Sequence, residues 1–210
     1  MNARDVEFAG VVCNVQNIAE YCVRLFLELD NIKNAINKTW EEYIETYDER
    51  IGTILEVGCG YGRLAMGLLN MCVRYVGIDV RPNVIEIARK SYRDFPMFEF
   101  HVHDITKAPF PLDDVDVIFT NTCLQHIERY FDAIANIRKM KPKIVVLSEC
   151  THGLTSEGFI PRPVSAYAYA MSTESITAPR YKLVYVKARK TLINGELRLR
   201  GAVMGFIRHE

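Results

Sequence analysis

The sequence predicts an α/β protein: a doubly wound, mostly parallel seven-stranded sheet that ends in an antiparallel hairpin, with a helical cap at its N-terminus. Three observations carry this expectation. After Gly52, short β-rich runs alternate with amphipathic helical runs, the rhythm of parallel strands joined by crossover helices. The run "DVDVIFTN" is nearly all apolar except its acids, as expected for a strand covered on both faces. Near the C-terminus, two strand-like runs flank Asn194-Gly195, the strongest short-range hairpin signal.

The elements follow in order. Asn14 to Glu49 contains neither proline nor glycine, and Val15, Ile18, Cys22, Leu25, Leu29, Ile32 and Ile36 recur three and four residues apart. They line one side of a helix, extended by Trp40, Tyr43 and Tyr47. The pattern predicts two helices with a break near "LDNIKN". The stripe is expected to pack on the core; a lid over a substrate pocket or a dimer seam are the alternatives, because the spacing resembles a short heptad pattern. Residues 1–50 thus read as a cap and residues 51–210 as one compact unit. "TILEVG" is a first strand and "RLAMGLLNMC" a helical run. "RYVGIDV" is a second strand, followed by a helix with Pro82 in its first turn. "MFEFHVHD" alternates like a third strand and "DVDVIFTN" makes the fourth. "ERYFDAIANIRKM" is an amphipathic helix and "KIVVLSE" the fifth strand. Residues 150–180 read mostly as loop with one short helix. "KLVYVKARKTLI" and "ELRLRGAVMGFI" form the closing hairpin.

Composition narrows the function classes. The chain has 210 residues, 49% apolar and 25% charged, which is ordinary for a globular domain. Lysine plus arginine and aspartate plus glutamate both total 26, so no net basic charge favours extended binding along a phosphate backbone. The six cysteines, Cys13, Cys22, Cys59, Cys72, Cys123 and Cys150, form no CxxC pair and read as reduced. The opening "MNARDVEFAG" has no signal pattern and no run is long and apolar enough to span a bilayer, so the expected location is the cytoplasm.

"LEVGCGYGRLA" sets Gly58, Gly60 and Gly62 where the first strand ends. Glycine there permits a sharp turn and lets a ligand approach the backbone. In an open α/β sheet, ligands bind beyond the carboxyl ends of the strands, near the point where strand order reverses. The second strand ends at Asp79, at the spacing of a carboxylate that accepts from ribose hydroxyls; the bland alternative is a solvated cap of the following helix. A dinucleotide fingerprint needs G-x-G-x-x-G, but here the spacing is G-x-G-x-G and Arg63 stands where the last glycine would be.

With Glu56 two residues before the turn, this arrangement resembles motif I of the class I S-adenosylmethionine-dependent methyltransferases, which are Rossmann-like. "GIDVRP" is similar to their ribose-binding segment, "HVHDITKAPF" to the segment after strand three, and "DVDVIFTNTCLQHI" to the fourth-strand motif. The resemblance covers roughly residues 51–150 and the closing hairpin. It implies S-adenosyl-L-methionine as cofactor, with Glu56, Gly58, Cys59, Gly60 and Gly62 at the turn and Asp79 on the ribose. It further implies Val80, Asp104 and Ile105 at the adenine, and Asn121 and Gln125 toward the methionine end or the substrate.

Methyl transfer from a sulfonium needs alignment and exclusion of water; a hydroxyl, carbon acid or protonated amine needs a base as well. His126, in "NTCLQHI", is the candidate base or substrate contact, with a loop-stabilising histidine as the alternative. His101 and His103 make a poor zinc site, so no metal is expected. Tyr43 and Tyr47 are candidates to close the pocket, although ordinary core tyrosines are the simpler reading. Glu149, His152, Arg162, Tyr167 and Tyr169 fall where substrate loops are expected.

The expected activity is methyl transfer to a small molecule by a monomer or homodimer that binds neither nucleic acid nor membrane. The alternatives are a protein- or RNA-directed methyltransferase, a nucleotide-linked oxidoreductase, and a non-catalytic subunit that binds a partner through its N-terminal stripe. No asparagine-proline-proline-tyrosine motif follows strand four, where "NTCL" stands instead.

Overall fold

A computed structural model describes residues 5–8, 11–44, 50–149, 154–155, 158–159, 180–193 and 196–209. A short antiparallel pair, β1 (Asp5–Phe8) and β2 (Val11–Asn14), opens the chain and leads directly into α1 (Val15–Tyr43). The seven-stranded sheet comprises β3 (Ile51–Val57), β4 (Cys72–Asp79), β5 (Phe98–Val102), β6 (Val117–Asn121), β7 (Ile144–Glu149), β10 (Tyr181–Ile193) and β11 (Glu196–Arg208). Between its last two groups lies a minimal pair, β8 (Leu154–Thr155) and β9 (Gly158–Phe159).

Strand order is β10-β11-β7-β6-β3-β4-β5. β3 pairs in parallel with both β4 and β6, while β11 pairs antiparallel with β7 and β10. The chain therefore runs outward from β3 to β5, then crosses back to lay β6 on the other side of β3. That crossing creates a topological switch point between β3 and β6. The expected fold class and closing hairpin are both present: Ile193 faces Glu196 across the β10–β11 pair. The Asn194-Gly195 turn itself lies outside the described residues.

Period-two alternation splits the core into two layers. Ile54, Tyr75, Phe119, Ile144 and Val146 pack with α1 and with α2 (Pro82–Ser91). Leu55, Val57, Ile78, Ile118 and Leu147 pack with α3 (Tyr130–Lys139). Each fully buried aliphatic side chain contributes about 1.5–3 kcal/mol of transfer free energy, so both layers hold the sheet firmly.

Three local expectations are corrected. α1 is one continuous helix through "LDNIKN": Leu25 and Leu29 are half-buried, and Asn31, Ile32, Ala35 and Ile36 are buried, so tertiary packing overrides the weak propensity of Asp30 and Asn31. Cys22, placed in the stripe, is exposed. "RLAMGLLNMC" contains no α-helix but a 3₁₀ turn, Ala65–Leu68, with bonds such as Gly67 N to Leu64 O at 3.0 Å. A Cβ at Gly67 would stand 2.2 Å from Leu29 Cδ2, so this segment lies pressed beneath α1.

Candidate functional site

The carboxyl ends of β3, β4, β5 and β6 surround a cleft of about 590 Å³ at the switch point. Gly58, Asp79, Val80, Asp104, Ile105 and His126 line it. Six side chains or backbone positions from four separate sequence segments are thereby brought together.

The glycine turn is tied to the end of β4. Gly58 N and Cys59 N both donate to Ile78 O, at 2.8 and 3.0 Å, and Gly60 N donates to Asp79 Oδ2 at 3.0 Å. Gly58 has φ 78°, and a Cβ there would lie 2.3 Å from Cys123 Sγ. The turn and the loop after β6 can approach this closely only because residue 58 has no side chain. Gly62 serves packing instead: a Cβ would stand 2.8 Å from Phe100 and 2.9 Å from Tyr92, whose hydroxyl donates to Gly62 O at 2.6 Å. The Cys59 side chain is buried, with its sulfur against Gly77, and burial pushes its thiol far above the usual range.

Asp79 is 6% exposed and takes four N–H donors. Gly60 N and Arg81 Nη2 reach Oδ2 at 3.0 and 3.1 Å; Arg81 N and Nε reach Oδ1, both at 3.0 Å. Burial works against the charge, but these bonds outweigh it and hold the carboxyl below its ordinary value. Across the cleft, Asp104 Oδ1 accepts from Thr106 N at 3.0 Å and Thr106 Oγ1 at 2.6 Å, which with Lys107 also keeps its carboxyl low against a smaller burial effect. Asn136 Nδ2 donates to Ile105 O at 2.8 Å and so fixes the Asp104–Ile105 rim to α3.

Glu56 is placed behind the turn rather than in the cleft. It is 2% exposed and accepts from the Tyr75 hydroxyl. Burial pushes its carboxyl up to about 7, against the opposing effects of Tyr75 and Arg63. On the same face of the sheet, Arg63 pairs with Glu28 of α1, and Asn121 Nδ2 donates to Glu28 Oε2 at 3.2 Å. Asn121 Oδ1 and Ser148 Oγ, register neighbours on β6 and β7, are buried without a hydrogen-bond partner. A buried acceptor with no donor is costly, and an ammonium group would relieve that cost.

The loop after β6 hangs on Glu149, the last residue of β7. This carboxylate, 0% exposed, accepts from Thr120 Oγ1 at 2.6 Å, Cys123 N at 3.2 Å and Gln125 N at 3.4 Å. Glu149 is thus a buried anchor of the loop, not an exposed substrate contact; burial raises its carboxyl despite these donors. Thr122 takes φ 52°, an uncommon conformation for a β-branched residue, and its N–H donates to Ser148 O at 2.7 Å. His126 is exposed at the cleft edge. Gln125 Nε2 donates to His126 Nε2 at 3.0 Å. Gln125 itself is buried and does not line the cleft.

Tyr43 does not close the pocket. It stacks on Trp40, whose ring lies beneath Lys143, and Lys143 pairs with Asp116 at the amino ends of the strands, opposite the cleft. Tyr47, His152, Arg162, Tyr167 and Tyr169 lie outside the described residues. His101 sits 3.6 Å from Glu99, and His103 Nε2 lies 2.9 Å from Ala108 O. Among the described residues, no group of three or more His, Cys, Asp or Glu side chains is arranged to hold a metal ion. No described helix is long and apolar enough to cross a membrane.

Arg81, Glu28 and Tyr75 were not singled out by sequence reasoning. Arg81 adjoins Asp79, so its proximity was a readable signal; Glu28 and Tyr75 reach the site only through α1 packing and strand register.

The features of the site fit a nucleoside joined to an amino acid. Asp79 offers a carboxylate at the turn, Asp104 and Ile105 form a polar and apolar rim with Val80, and the orphaned Asn121 oxygen suits an ammonium. Residues 54–142 match the family model described as a methyltransferase domain. The non-reducing polyketide synthase prhL of Penicillium brasilianum is 30% identical over 112 residues, a match spanning 48% of this chain but 4% of the synthase. The N-methyltransferase NodS of Bradyrhizobium japonicum WM9 superposes with a TM-score of 0.62 at 19% identity, over 88% of this chain and 97% of that one. Magnesium protoporphyrin IX methyltransferase of Synechocystis PCC 6803, with bound SAH, superposes with a TM-score of 0.63 at 12% identity, over 94% and 89% of the two chains. The motif-bearing cleft and the matched segment lead to one conclusion: residues 54–142 carry a methyltransferase domain, on the fold that this chain shares with NodS and the magnesium protoporphyrin IX methyltransferase.

Proposed function

We propose that this chain transfers a methyl group from S-adenosylmethionine to a small-molecule acceptor by in-line displacement. The observation that carries the reading is the meeting of the glycine turn, Asp79 and the Asp104–Ile105 rim around one cleft at the switch point. The balanced charge of the chain and the small-molecule methyltransferases among its structural neighbours support a small acceptor over a nucleic acid.

When bound, the cofactor supplies a methyl group on a sulfonium, already activated toward displacement. Asp79 holds the ribose hydroxyls, Val80 and Ile105 flank the adenine, and Asp104 accepts from its amino group. Asn121 Oδ1 takes the ammonium, with Glu56 and Glu28 providing negative potential on that face of the sheet. Gly58 lets the turn and the loop after β6 close on each other at the end of β3, where it lines the cleft. His126 stands where it can meet an acceptor; taking a proton at Nε2 requires it first to give up the bond from Gln125.

Titration calorimetry with S-adenosylmethionine, S-adenosylhomocysteine and NADH tests the reading. The first two bind in the micromolar range and NADH does not; Asp79→Ala weakens binding by roughly 1–3 kcal/mol as the hydroxyls lose their acceptor. Binding of NADH alone would overturn it. A screen of small amines, alcohols and thiols then identifies the acceptor.

A further inference from the structure

We infer that Arg81 is an internal competitor for the ribose position, so that cofactor entry requires its side chain to leave Asp79. The inference rests on the cofactor reading above and follows from the hydrogen-bonding capacity of a single carboxylate.

An ionised carboxylate offers about four lone-pair sites. Asp79 already uses four: the two backbone donors Gly60 N and Arg81 N, and the two side-chain donors Arg81 Nε and Nη2. The backbone pair is built into the fold. Gly60 belongs to a turn strapped to Ile78 O, and Arg81 N opens the first turn of α2. The side-chain pair is not. The Arg81 side chain is 60% exposed, and its guanidinium hangs over the turn, with Nη2 3.8 Å from where a Cβ on Gly60 would be.

A vicinal diol carries two O–H donors. The guanidinium fork places one donor on each Asp79 oxygen, which is the pattern a ribose diol makes when it faces a carboxylate. Both ligands need the same two lone-pair sites, and both enter from the same cleft, since Arg81 lines it together with Asp79. They are mutually exclusive. The cofactor's apparent affinity is therefore reduced by the fraction of molecules in which the fork is closed.

Arg81→Ala and Arg81→Gln leave Asp79 and both backbone donors in place and remove only the fork. The expected result is about 1.5–5-fold tighter binding of S-adenosylhomocysteine, the range set by an ion pair with one exposed partner. Adenosine binding tightens by a similar factor, whereas 2′,3′-dideoxyadenosine, which cannot compete for the carboxylate, is unaffected. Added salt loosens the fork, so the advantage of the variants shrinks as ionic strength rises. If wild type binds S-adenosylhomocysteine and the variants bind it equally or more weakly, the inference fails alone. It also fails alone if dideoxyadenosine gains as much as adenosine, since the effect is then steric clearance. If neither wild type nor variants bind any adenosine ligand, the family reading falls and the inference with it.

Discussion

Replacing Glu56 with glutamine should stabilise the protein at alkaline pH. The carboxyl is 2% exposed, and burial raises it from 4.5 to about 7. Such a group holds its proton more tightly folded than unfolded. Its contribution is fully present below the unfolded value and is lost as pH rises toward the folded one. Between about pH 4.5 and pH 7 this loss amounts to about 3 kcal/mol. Glutamine keeps the size of the side chain and an oxygen that accepts from Tyr75, but never ionises. Urea denaturation of both proteins from pH 5 to pH 8.5 isolates the effect, because every other group titrates in both. Wild type and Glu56→Gln should differ by under about 1 kcal/mol near pH 5, and the variant should be the more stable by up to about 3 kcal/mol at pH 8. Parallel profiles, or a variant less stable at pH 8, would refute the assignment of a destabilising buried charge.

Two more perturbations probe the frame of the cleft. Gly58→Ala puts a Cβ 2.3 Å from Cys123 Sγ at a backbone φ of 78°, and should cost roughly 2–4 kcal/mol in denaturant unfolding and abolish S-adenosylhomocysteine binding; a variant that binds like wild type would mean the turn and the loop after β6 can separate freely. Glu149→Ala removes the shared acceptor of Thr120, Cys123 and Gln125, and should cost about 3 kcal/mol at neutral pH while also weakening cofactor binding. Unchanged amide exchange at residues 123 and 125 would show that the loop is held by something else.

Much of the architecture was legible because it is local. Alternation between β-rich and helical runs marked five strands, the Asn194-Gly195 pair marked the closing hairpin, and Gly58 and Asp79 fall at strand ends where the cleft forms. What escaped depends on distance in sequence. Asp30 and Asn31 look like a helix break until Ile32 and Ile36 are buried against the sheet. "RLAMGLLNMC" looks helical until Leu29 presses on Gly67. The anchoring of the loop after β6 joins Glu149 to residues 24 to 29 positions earlier, and only strand register brings them together. The Arg81 fork shows a further limit: a residue pattern marks the carboxylate at the end of β4, but not which neighbour already occupies it.

The unbroken course of α1 has a mechanical consequence. Its Trp40 end is clamped beneath Lys143, and its Glu28 end grips Arg63 and Asn121 beside the glycine turn. Twelve residues at 1.5 Å each separate the two by about 18 Å, with no glycine or proline between them to act as a joint. The helix therefore behaves as a stiff lever across the full height of the sheet. A push at its foot, on the side of the molecule remote from the cleft, is delivered to Arg63 and Asn121 beside the glycine turn.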